Sequence, residues 1–172
     1  MSAMNPGDFL TRLFIWLALA AYPVAIGLLL SSHDSVRPRL YARATWTFGC
    51  ISFLAHMLCA FAFFHHWSHA EAYRETARQT AELTGWHWGG GIYFNYVFAA
   101  VWLGDVLWWW LAPQSFARRP AWISATWHGF FFFMVFNGAV AFGHGPVRVL
   151  GIMISFALAV LWTQHRREGA HA

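Results

Sequence analysis

The chain is 172 residues long, 59% hydrophobic and 20% aromatic, with 12 tryptophans and only 10% charged residues. Eleven basic and seven acidic side chains, net charge +4, are too few to coat a soluble domain of this length, which excludes a soluble globule and points to a single membrane domain. All eleven basic residues are arginines set in short connections between apolar runs, with no continuous patch that could track phosphates, so nucleic acid is excluded as a partner.

A helical span needs about 20 mainly apolar residues. Five segments qualify: 9–30, 41–64, 92–111, 122–142 and a shorter one at 147–162. The expected fold is an all-α integral membrane bundle of five transmembrane helices, or four if the last does not cross, in one polytopic domain, 1–172. Within the first segment Arg12 precedes an apolar stretch, 13–30, that is too long for a signal-peptide core, and Arg37, Arg39 and Arg43 follow it, so it is read as retained. Pro23 should kink that helix, because it removes a backbone donor and crowds the preceding turn. Cys50 and Cys59 lie about 13 Å apart along the second helix and cannot pair.

The only long connection is 65–91. Residues 68–84 contain no Gly or Pro and set Glu71 with Arg74, Glu75 with Arg78, and Arg78 with Glu82 at helix-neighbour spacings, so they are read as helical. Two courses are open. Either the second helix runs on beyond the bilayer to Gly85, or the chain bends near Ser68 and lays an amphipathic helix on the surface with Ala70, Tyr73, Ala77 and Ala81 facing down. The glycines and tryptophans of 85–91 then suit a tight return at the interface. Trp108, Trp109 and Trp110 close the third segment in an aromatic-belt position, and Phe130 to Phe133 supply lipid-facing or core surface in the fourth. Gly143, His144, Gly145 and Pro146 would turn the fourth segment into the fifth.

With five spans, seven arginines (Arg37, Arg39, Arg43, Arg118, Arg119, Arg166, Arg167) share one side and four the other. The positive-inside rule then places the N-terminus outside and the C-terminus in the cytoplasm, most simply of a bacterial inner membrane. His65, His66, His69, His87 and His144 all fall on the outer side.

Their clustering is the strongest chemical signal. On a continuous helix, His66 and His69 share a face that His56 and Cys59 extend into the membrane, while His87 and His144 return to the same level from other connections. Imidazole suits haem iron or a transition metal such as iron, copper or zinc, which makes His66, His69 and His87 candidate metal ligands and His56 and His144 further cofactor ligands. HHWSH superficially resembles the histidine boxes of membrane desaturases, but its order is reversed and no second box follows, so no family is identified. Deeper in the bilayer, Asp105 and His128 stand at matching depths on the third and fourth segments and are expected to form a hydrogen bond, as helix glue or as a proton or polar-group site.

The expected function is therefore haem or transition-metal binding at an outer histidine cluster, in electron transfer. The alternatives are a non-catalytic structural subunit of a larger membrane complex and a metal-dependent membrane enzyme acting on a lipid-like substrate. No serine nucleophile motif, phosphate loop or paired catalytic carboxylates supports another enzyme class, and whether the chain is an enzyme is left open. Partners are expected to be the lipid bilayer and other membrane proteins or further copies of the chain.

Overall fold

The computed structural model describes residues 5–30, 36–141, 148–149 and 151–152, and among them all regular structure is helical. The chain forms two compact units, divided between Arg118 and Arg119, and each is described by itself. Unit 1 holds α1 (Pro6–Leu30), α2 (Val36–Phe63), α3 (His69–Thr84), α4 (Gly91–Leu111) and the short α5 (Pro113–Ala117). Among the described residues, three helices are long and apolar enough to cross a membrane: α1, α2 and α4. They correspond to the first three segments expected from the sequence.

α1 and α2 pack antiparallel through small side chains. Ala18, Ala21 and Ala25 recur along one stripe of α1, and Ala25 and Ala42 are both fully buried. A Cβ on Gly49 of α2 would stand 3.0 Å from the Cβ of Ala21 and 2.9 Å from the Trp102 ring, so Gly49 admits both neighbouring helices. Close backbone approach of this kind is how apolar helices gain dispersion energy where lipid offers no hydrophobic drive between them. At the other end Gly7 lies against the Phe63 ring, which brings the start of α1 to the end of α2. Pro23 lies within α1, which runs on past it to Leu30.

α2 meets α4 through aromatic side chains. Phe53 and Phe98 pack edge to face at 4.8 Å, Trp102 lies 5.3 Å from Trp46, and Tyr22 of α1 closes on Trp46 at 5.7 Å. The tryptophans at the end of α4 each have a specific partner: Trp110 donates its indole N–H to Thr47 and lies under the Arg43 guanidinium at 3.9 Å, Trp109 stacks on Phe116 of α5 at 4.6 Å, and Trp108 donates to Ser115. The sequence reading contained no helix at α5. Pro113 opens it at the first helical position, where the missing N–H costs nothing, and buried Phe116 holds it against α4.

Unit 2 contains α6 (Ala121–Val135), which continues as a π-helical stretch over Phe136–Ala141. Together they match the expected fourth segment. The Asn137 amide donates to the Phe133 carbonyl within the same helix. The breaker cluster with His144, and most of the fifth segment, lie outside the described residues.

Candidate functional site

The continuous second helix is not what the chain adopts. α2 stops at Phe63, and residues 64–68 turn before α3 begins at His69. His66 and Trp67 take left-handed backbone conformations with φ of 48° and 59°, which cost a non-glycine residue about 1–2 kcal/mol each. The turn closes with the Trp67 N–H donating to the Phe61 carbonyl at 3.0 Å and the Ser68 N–H to the His65 carbonyl at 2.7 Å.

Ser68 then starts α3 as its N-cap, its Oγ accepting the Glu71 N–H at 3.2 Å. Ser68-His-Ala-Glu71 has the spacing of a capping box, a local signal that fixes this helix start and that the sequence reading missed. Gly85 ends the helix with φ of 76°, the left-handed C-cap that glycine adopts without a Cβ penalty. Of the two courses open to the sequence, the chain takes the bend.

This break separates the histidines. His66 is in the turn and His69 is the first residue of α3, so the shared helix face inferred for them does not exist. His66 directs Nδ1 toward Glu71 Oε2 at 3.4 Å, with its side chain 79% exposed. His65 packs edge-on against Phe61 at 5.6 Å. Both imidazoles line an open cleft of about 580 Å3 together with Phe64, Glu71, Arg74 and Glu75.

Also lining the cleft, Glu75 accepts two hydrogen bonds from the Arg78 guanidinium, at 2.9 and 2.6 Å, and one from the Gln79 amide. Glu82 also accepts from Arg78. The hydrogen bonds from Arg78 hold the Glu75 carboxyl below its usual range, with a smaller electrostatic pull from His65. The same pairing raises Arg78 above its ordinary value.

His69 turns to α4 instead. Its Nδ1 is 2.9 Å from the Tyr96 hydroxyl and its Nε2 is 3.4 Å from the Tyr93 hydroxyl. A neutral imidazole donates through one nitrogen and accepts through the other, so His69 joins α3 to α4 with both of its polar atoms. His56 is a strut of a different kind. Its Nδ1 lies 2.9 Å from the Thr11 carbonyl of α1; a carbonyl carries no proton, so Nδ1–H is the donor and the tautomer is set. His87 is exposed in the connection after α3 and does not line the cleft. Among the described residues no group of three or more His, Cys, Asp or Glu side chains is placed to hold a metal ion.

Asp105 is 3% exposed in α4 and accepts the indole N–H of Trp46 at 2.9 Å. The sequence reading matched Asp105 by depth to His128 and overlooked Trp46, which by the same arithmetic lies at that depth on the second segment. His128 belongs to α6 in unit 2. With the geometry described, comparison with known proteins adds no relative: no family model, no curated protein and no solved structure matches the chain.

Proposed function

We propose that the chain is a polytopic membrane protein that binds one transition-metal ion, iron, copper or zinc, at the cleft formed by the α2–α3 turn and α3. The observation that carries this reading is the pairing of His66 Nδ1 with Glu71 in an open cleft that also holds His65. An imidazole that gives its N–H to a carboxylate keeps the other nitrogen as a basic, oriented lone pair, the usual arrangement of a metal-ligating histidine. His65 and His66 are the proposed protein ligands, with Glu71 orienting His66. Two imidazoles leave the remaining coordination positions to water or to a partner's side chain.

A bare ion fits the cleft better than haem. Phe64 is the one apolar residue among otherwise polar and charged lining residues, whereas a porphyrin needs apolar walls on both faces. Iron or copper would make the chain an electron-transfer component, and zinc would make it a Lewis acid at the membrane surface, as an enzyme on a lipid-like substrate requires. The five-span topology with an outside N-terminus belongs to this proposal. It rests on the arginine distribution and puts the cleft on the outer face of a bacterial inner membrane.

A second reading is a non-catalytic subunit of a larger membrane complex. The observation that favours it is that His56 and His69 already use ring nitrogens within the fold. Elemental analysis and an absorption spectrum of detergent-purified protein separate the two. Stoichiometric iron, copper or zinc without a Soret band is the expected result; a Soret band would replace the ion with haem, and a metal-free protein would leave the subunit reading.

A further inference from the structure

Large exposed apolar side chains flank α3 at both of its ends, outside the three long apolar helices. Trp67 is 65% exposed, Trp86 75%, Trp88 45% and Leu83 50%. Trp67 lies just beyond the end of α2, and Trp86 and Trp88 lie just before the start of α4, so they bracket α3 at the level where two candidate spans leave the bilayer. The left-handed backbone at His66 and Trp67 is strain spent on a turn that presents an indole outward.

The connection after α3 is built tightly. A Cβ on Gly89 would run into the Tyr73 carbonyl oxygen, and one on Gly90 into the Trp88 ring, so Trp88 is folded over its own backbone. Within α3, Arg78 pairs with Glu75 and Glu82.

We propose that Trp67, Leu83, Trp86 and Trp88 form a lipid-contact surface that seats α3 in the headgroup layer of the bilayer crossed by α2 and α4. Indole suits that layer because its rings favour the acyl boundary and its N–H finds acceptors among phosphate and ester oxygens. An amphipathic helix in this plane keeps its charged face in water. Continuity with the ends of α2 and α4 selects lipid over a protein partner, since a patch at this level meets the bilayer before anything else. The proposal does not depend on a metal in the cleft.

The test uses full-length protein in nanodiscs of phosphatidylcholine and phosphatidylglycerol, in a Cys59→Ala background. Cys50 is buried and can stay. Spin labels are introduced singly at Trp67→Cys, Trp86→Cys and, as the water-facing control, Glu82→Cys. Labels at 67 and 86 should relax preferentially with oxygen, and the label at 82 with a water-soluble nickel chelate. Preference for nickel at 67 and 86 would place the patch in water, and exclusion of both reagents would mean that a protein or a second copy covers it; either overturns the proposal. Trp67→Phe and Trp86→Phe, which keep the aromatic bulk, supply an independent reading: each should remove emission that brominated phospholipid quenches in the parent, and removal of only unquenched emission would also overturn it.

Discussion

The indole N–H of Trp46 and the carboxylate of Asp105 meet at 2.9 Å between α2 and α4, both residues being 3% exposed. A carboxylate so deep in an apolar helix is costly without donors. Asp105→Leu removes the carboxylate that accepts this buried indole N–H, a loss of about 1–2 kcal/mol. Asp105→Asn keeps a carbonyl oxygen and should lose less. Thermal unfolding in detergent should rank parent, Asn and Leu in that order, and equal melting of Leu and parent would deny the contact any weight.

His56 is expected to behave as a strut between α1 and α2. His56→Leu leaves the Thr11 carbonyl without this donor and should cost about 1 kcal/mol, with metal content unchanged. Loss of bound metal in a variant that still folds would return His56 to the ligand set.

The three long apolar helices were legible because about 20 apolar residues leave a chain few alternatives to spanning. The break at residues 64–68 was harder to read. Phe64 through Trp67 contain no glycine or proline, and two residues with ordinary side chains take up the left-handed backbone themselves. Only Ser68 with Glu71 marked the new helix start. That break decides the candidate site: continuous helix would have stacked His66 on His69, while the turn leaves His66 in the cleft and sends His69 to Tyr93 and Tyr96. Asp105 was recognisable as a residue needing a partner, but its bond to Trp46 depends on which helix packs beside α4, which span arithmetic does not contain.

The Glu75–Arg78 pairing makes α3 sensitive to acid. The folded-state pKa of Glu75 is depressed, so its contribution is present above the unfolded-state value of about 4.3 and is lost as pH falls through the lower folded-state value. The pair is largely exposed and solvent-screened, so the effect is small. Far-UV circular dichroism should show a small loss of helix below about pH 4 that Glu75→Gln diminishes. An identical acid response in the variant would count against the pairing.

Gly89 is expected to tolerate no side chain. Alanine there would press on the Tyr73 carbonyl oxygen, which is backbone and cannot swing aside. Gly89→Ala should cost about 1–3 kcal/mol, read as a lowered melting temperature, whereas alanine at Gly104, where a Cβ meets nothing within 4 Å, should cost nothing measurable. Equal melting of the two variants would contradict the close packing of this connection on α3.

Metal binding in the α3 cleft is tested most directly by calorimetric titration of copper(II), the tightest-binding divalent ion of its row, into chelator-treated protein and its His65→Ala/His66→Ala variant. The parent should show one saturable site that the double variant lacks, while His69→Ala retains it. Superimposable isotherms for parent and double variant would contradict the assignment of the cleft as a metal site.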